Sequence, residues 1–207
     1  MEKEMSSKSF ILDNIRRNTT ERFEMPDLDA LEAKALTYPN RVAQFQAVMK
    51  QVGGRAVTLN DGETLETVIA RQYPQAQRTA LATARTINAE ALNGRVFQAD
   101  DVEKPQDLNG TDLAIVDGTF GVCENGAVWV EQHVRNRAVY FLAEALVLIV
   151  RRENLVNNMH EAYRRLGTDV PEYGVFISGP SKTADIEQAL VLGAHGARDV
   201  TVVLVDD

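Results

Sequence analysis

Apolar positions along the chain change their period after the first fifty residues. Leu28, Leu31, Ala35 and Leu36 sit at helical spacing before Pro39, and Val42, Phe45, Met49 and Val52 repeat the spacing after it. Arg41, Gln44, Gln46 and Lys50 form the wet face, and Gly53-Gly54 supplies a C-terminal stop. Residues 1–54 are therefore expected to be an N-terminal helical segment packing on the rest of the chain. Beyond it, residues 55–59 (RAVTL) and 79–83 (TALAT) read as strands, with a helix predicted between them over 64–72 (TLETVIARQ). Residues 110–118 (GTDLAIVDG) have a compact apolar centre between turn residues, the pattern of a buried strand.

Residues 121–132 (GVCENGAVWVEQ) carry Asn-Gly between two apolar runs. That pair predicts a hairpin with a type I′ turn, which needs positive φ at both central positions. Another core strand follows at 145–150 (ALVLIV). A helix is then predicted over 155–166, with Leu155, Met159, Ala162, Tyr163 and Leu166 on one face, Arg164 and Arg165 in its last turn, and Gly167 past its end. Residues 173–178 (YGVFIS), 183–192 (TADIEQALVL) and 199–205 (DVTVVLV) read as strand, helix and strand. This order predicts an α/β fold, with right-handed crossovers and a mostly parallel sheet flanked by helices over residues 55–207. With the leading helices, it forms a single structural domain.

Composition narrows the function. With 207 residues, 44% of them hydrophobic, the chain has enough material for one substantial core. A net charge of −8 without any basic block argues against nucleic acid or an anionic membrane as partner. The lone Cys123 excludes an internal disulfide and cannot ligate an iron–sulfur cluster. The polar start MEKEMSSKSF lacks a signal-peptide core, and the apolar run 138–150 is broken by Glu144 and too short to span a bilayer. A cytoplasmic protein is expected.

The most distinctive stretch is ISGPSKTADIEQALVLGAHG, residues 177–196. Gly174 and Gly179 have the separation of a nucleoside-triphosphate loop, but Pro180-Ser181 stands where Lys-[Ser/Thr] is required, and proline removes an N–H from a loop that must donate them. A small-anion site at a helix N-terminus remains, built from Gly179, Ser181, Lys182 and Thr183, with Gly196 and the titratable His195 at the far end. Beside it stands the plainer alternative, in which Ser181 or Thr183 merely caps a helix whose Asp185 and Glu187 already compensate the dipole. In the second cluster, 117–126, glycines at 118, 121 and 126 permit close backbone approach, and Glu124 can act as base, nucleophile or ligand contact, or stand as a solvated turn residue. Cys123 in an apolar strand reads as buried and inert. His133 and His160 lack partners at metal-ligand spacing, so no metal site is expected.

Residues 178–207 closely resemble the C-terminal signature of the LUD-domain family, the lactate-utilisation proteins of bacteria. Ser178 to Glu187 and the pair His195-Gly196 carry the match, and Glu124-Asn125-Gly126 resembles the family's second motif. The clear resemblance covers roughly the C-terminal half. Length and cysteine content look like the small C-type subunit. The resemblance implies a fold similar to that of sugar-phosphate isomerases, CoA transferases and formyltetrahydrofolate cyclo-ligase. It also implies an accessory or anion-binding role beside iron–sulfur oxidoreductase subunits that oxidise L-lactate, with no cofactor in this chain. The ligand would be a small organic acid or a phosphate-like anion, and a homodimer is compatible with it. The alternative that fold relatives imply is a stand-alone acyl- or CoA-transferase-like or ligase-like enzyme, with Glu124 catalytic near the Lys182 loop and His195 beside it. Residues 130–145 depart from the family's apolar, glycine-rich link, which leaves open a substrate other than lactate.

Overall fold

Strands that are apolar on both faces need cover on both faces, and the three longest apolar runs find it at the centre of a parallel sheet. The computed structural model describes residues 6–21, 23–24, 26–27, 33–167, 172–183, 191–193 and 195–206. Among them, β1 (Arg55–Thr58), β2 (Arg78–Ala82), β3 (Arg95–Gln98), β4 (Leu113–Asp117), β7 (Ala145–Arg151) and β12 (Asp199–Val205) form a six-stranded sheet in the order β1-β12-β7-β4-β2-β3. Every neighbouring pair is parallel. Alternate side chains point to opposite faces. Ala80, Val116, Leu148 and Val202 join one core cluster, and Leu81, Ile115, Val147 and Val203 join the other.

The chain divides into two compact units, Met1–Ala35 and Leu36–Asp207. The first contains α1 (Ser7–Asn18), a helix the apolar pattern did not reveal, capped by the Ser6 hydroxyl accepting from Ser9 N at 3.3 Å. Of the helix expected around Leu28–Leu36, residues 28–32 lie outside the described residues, and Ala33–Ala35 form a turn and bend. The second unit begins with α2 (Arg41–Gln51), capped by Asn40, which buries Phe45, Val48 and Met49. Helix α3 (Leu65–Gln72) opens with a reciprocal Thr64–Thr67 capping box and buries Val68 and Ile69 against the opposite face of the sheet, and the single-turn α4 (Val139–Leu142) buries Val139 and Tyr140.

A second, four-stranded sheet lies over the α2 face. It consists of β5 (Phe120–Val122), β6 (Val128–Glu131), β8 (Leu155–Val156) and β9 (Gly174–Ile177) in the order β8-β5-β6-β9. Its outer face holds Phe120, Trp129 and Phe176, with Trp129 and Phe176 centroids 4.7 Å apart, and Ala162 of α5 (Met159–Leu166) closes over them. Glycines let the layers approach: a Cβ at Gly118 would stand 2.8 Å from Val150 Cγ2 of the parallel sheet, and one at Gly121 would stand 3.0 Å from Phe45 Cε2 of α2.

Four expectations are corrected by this arrangement. The helix predicted over 155–166 begins only at Met159, because Leu155 and Val156 extend the second sheet and Asn158 caps the helix, accepting from Glu161 N at 3.0 Å. The strand at 173–178 leaves the parallel sheet and pairs antiparallel with β6, so the late crossover is interrupted by a sheet change. The Asn-Gly hairpin forms, but its turn spans Cys123–Gly126, with Gly126 N bonded to Val122 O at 2.9 Å and Gly126 at φ 70°. Asn125 Oδ1 accepts from Ala127 N at 3.0 Å, which favours this wider turn over a two-residue type I′. The helix expected over 183–192 is replaced at both described ends by an antiparallel ladder of β10 (Lys182–Thr183) and β11 (Val191–Leu192). Residues 184–190 lie outside the described residues. Among the described residues no helix is long and apolar enough to cross a membrane.

Candidate functional site

The SGPSK loop leaves the end of β9 and turns at Gly179, whose φ of 66° places it in the left-handed region. Its backbone then bonds to the returning segment: Ser181 N donates to Ala197 O at 2.8 Å, and Gly193 N donates to Ser181 O at 3.0 Å. Those donors extend the β10–β11 ladder. The first-turn N–H groups on which the sequence-derived anion site rested are therefore absent at Lys182 and Thr183. The loop instead roofs a cavity of about 180 Å³. Gly179, Ser181, His195 and Gly196 line it together with Tyr140 and Phe176. Four of the sequence-derived site residues thus come together, around a predominantly apolar space. Burial holds the Tyr140 phenol above its ordinary range, so the hydroxyl stays neutral, within 3.3 Å of Glu131 O. His195 is exposed and also borders an open concavity of about 400 Å³ with Glu144 and Arg198.

The remaining sequence-derived residues serve the end of α2 and the start of α5. Lys182 Nζ donates to the carbonyl of Val52, the C-cap of α2, where a cation complements the helix dipole. A Cβ at Gly179 would stand 2.9 Å from Val52 O, and one at Gly126 would stand 3.2 Å from Met49 Sδ, so both glycines admit the end of α2. Ser178 Oγ donates to Asn125 O at 2.7 Å and ties the loop to the hairpin turn. Glu124 turns the other way: its Oε2 accepts from Met159 N at 2.9 Å, which places a carboxylate at the N-terminus of α5. No ion pair between Glu124 and Lys182 occurs.

Cys123 is fully buried, and its Sγ lies 3.3 Å from Arg41 O, which accepts the thiol hydrogen. Burial pushes the thiol from 9.0 up to about 11, against the opposing pull of Arg41. A thiolate is the reactive form, so native Cys123 is expected to resist iodoacetamide at pH 8 and to take up one equivalent in denaturant. The folded value exceeds the unfolded one, so this group's stabilisation is complete below about pH 9 and declines as pH rises through about 11. Urea titrations between pH 8 and 11 should show a smaller alkaline loss of stability in Cys123→Ala than in the parent.

A second concavity lies where sequence reading gave no candidate set. The strand order reverses between β2 and β4: the chain runs from β2 outward to β3, then returns to β4 and continues the other way. In open α/β sheets the crevice outside the carboxyl ends of the strands at such a point is where ligands bind. Here the cavity is about 490 Å³, and it is lined by the residues that end or follow β2, β4 and β7, among them Arg85, Asp117, Thr119 and Arg151, with His133 arriving from the link after β6. Asp117 organises the wall. Its Oδ2 accepts from Thr83 Oγ1 and from Ala84 N, both at 2.8 Å, and its Oδ1 lies 3.5 Å from Arg85 Nε. Asn154 donates to Thr119 O at 3.1 Å and accepts from Arg165 at 2.8 Å, fixing the opposite rim. The sequence signal was available: Thr83-Ala84-Arg85, Asp117-Gly118-Thr119 and Arg151 each follow a buried apolar strand. Among the described residues no three His, Cys, Asp or Glu side chains gather as a metal-ligand group.

A mostly parallel sheet flanked by helices sets the class as α/β, and comparison with known proteins identifies the family. The LUD-domain family model matches residues 11–205, and the chain belongs to that family. It is 29% identical to lactate utilization protein C of Oceanobacillus iheyensis, over 57% of this chain and 54% of that protein. It is 30% identical to lactate utilization protein C 1 of Bacillus mycoides, over 51% and 49% of the two chains. The chain thus spans about half the length of the curated relatives it matches. The crystal structure of a DUF162 family protein from Deinococcus radiodurans superposes with a TM-score of 0.63 at 18% identity, covering 83% of this chain and 99% of that one, which establishes the shared fold.

Proposed function

We propose that this chain is a small-organic-acid-binding, non-redox subunit of a lactate- or organic-acid-utilising system whose electron transfer resides in iron–sulfur partner subunits. One observation carries the reading: the signature residues Gly179, Ser181, His195 and Gly196, from the two ends of the 177–196 stretch, line one cavity beneath a loop whose backbone is already hydrogen-bonded. Such a loop is a rigid wall for a ligand of few heavy atoms. The printed names of the relatives, lactate utilization protein C, supply the metabolic setting. Stand-alone acyl or CoA transfer draws its nucleophile from Glu124, and a carboxylate engaged with the N-terminus of α5 gives that reading no support. Cys123 is the single cysteine of these 207 residues and its thiol is buried, so the chain's own side chains do not fit a cluster.

Affinity purification of the chain from its native cells grown on L-lactate tests the proposal. Co-purification in fixed stoichiometry with subunits that carry cysteine-ligated clusters is the expected result, together with loss of growth on L-lactate when the chain is deleted. A chain that purifies without such subunits and turns over an acyl or CoA substrate unaided would overturn it.

A further inference from the structure

We propose that the crevice at the carboxyl ends of β2, β4 and β7 binds a small carboxylate anion, with Arg151 and His133 as its donors and Arg85 as a fixed positive wall. This deepens the reading above and rests on it for the class of ligand; it adds a second site, distinct from the signature-loop cavity.

Charge is the first argument. The protein carries a net −8, yet the crevice presents the guanidinium groups of Arg85 and Arg151, with the His133 imidazole beside them, against the single acid Asp117 among its lining residues. Cations gathered in a concavity of an acidic protein focus the field for an incoming anion. Position is the second. The crevice is open where the strand order reverses.

Preorganisation is the third argument. Asp117 does not compete for the crevice as a bare charge, since its two oxygens accept from Thr83 and Ala84 and face Arg85. Those contacts hold the loop after β2 in place and set Arg85 at the wall. Arg151 is held differently. Its nearest acid, Glu153, lies 3.6 Å away, and both side chains are at least half exposed, at 50% and 69%. An ion pair of that kind contributes little and exchanges readily for a ligand carboxylate. The guanidinium offers a planar fork that matches a carboxylate bidentately. Ile149 on the floor and the Thr119–Asn154 rim leave room for a short carbon chain bearing a hydroxyl or keto oxygen. At about 490 Å³ the space suits a small metabolite.

Isothermal titration calorimetry of the full chain with pyruvate, L-lactate, acetate and inorganic phosphate tests this. Pyruvate or L-lactate is expected to bind, and Arg151→Gln is expected to weaken that binding about tenfold, the scale of one charged hydrogen-bond pair. His133→Gln should weaken it severalfold, while Lys50→Gln, which removes the same charge from the exposed face of α2, should leave it unchanged. An unchanged melting temperature in Arg151→Gln confirms that the variant is folded. If a carboxylate binds equally to the parent, Arg151→Gln and His133→Gln, the crevice assignment is wrong and the organic-acid reading stands. If none of the carboxylates binds the full chain at millimolar concentration, the crevice assignment is also wrong, and the subunit reading is judged on co-purification alone.

Discussion

Phe45→Ala is expected to lower stability by about 3–5 kcal/mol, the range for truncating a buried phenylalanine. Phe45 is fully buried on α2 and belongs to the core cluster shared by both sheets. Its ring occupies the space that Gly121 leaves open: a Cβ at that glycine would stand 3.0 Å from Phe45 Cε2. The cavity left by alanine would therefore be bounded by α2, β5 and the parallel sheet, each pinned by its own hydrogen bonds and poorly able to collapse. For a domain of this size the loss corresponds to a fall in melting temperature of roughly 6–20 °C. Phe45→Leu keeps most of the volume and should cost less than half as much. Urea titration distinguishes the two. A loss below about 1 kcal/mol for the alanine variant would mean that α2 does not join the sheets as described.

Gly174→Ala is the complementary case, in which adding one carbon is expected to cost about 3 kcal/mol. Gly174 opens β9 opposite Glu131, and a Cβ there would overlap the six-membered ring of Trp129, with Cε2 only 2.8 Å away. Trp129 cannot easily retreat. Phe120 lies at 6.5 Å and Phe176 at 4.7 Å between centroids, and its Nε1 donates to Glu131 Oε1 at 2.9 Å. Replacing the ring should release the strain, so Gly174→Ala combined with Trp129→Phe is expected to be more stable than the sum of the two single losses predicts. A double-mutant cycle followed by far-UV circular dichroism measures that coupling. Strict additivity would remove the steric account.

The central strands were legible because burial on both faces leaves an uninterrupted apolar run, as in residues 113–116, 145–150 and 202–205. Helices α2 and α3 were legible for the converse reason, a single buried stripe ended by glycine or begun by threonine. Strand β3 was not, since its RVFQ sequence lies at the sheet edge and buries only Phe97 below one tenth exposure. The second sheet was legible in part: the hairpin β5–β6 and the strand β9 were expected, but β8 is two residues long, too short for a period, and the pairing of β9 with β6 is set by long-range contacts. The LUD signature gave the family from residues alone, but not the geometry of its loop. Thr183, Val191 and Leu192 suit a ladder as well as a helix, and long-range pairing decided between them. The crevice shows the same limit. Arg85, Asp117 and Arg151 each follow a different strand, and only the strand order puts them side by side.

That order also has a consequence for synthesis. The strand of this sheet that is made last, β12, is not an edge but an insert: it pairs with β7 on one side and with β1 on the other. While residues 199–205 are still within the ribosome, β1 has no strand to pair with, and the flank of β7 is bare backbone beside a wholly apolar surface. Local helices and the β5–β6 hairpin can form early, but the sheet closes only when contacts of very large sequence separation are made, the slowest kind to find. Until then the growing chain exposes an unpaired, aggregation-prone edge.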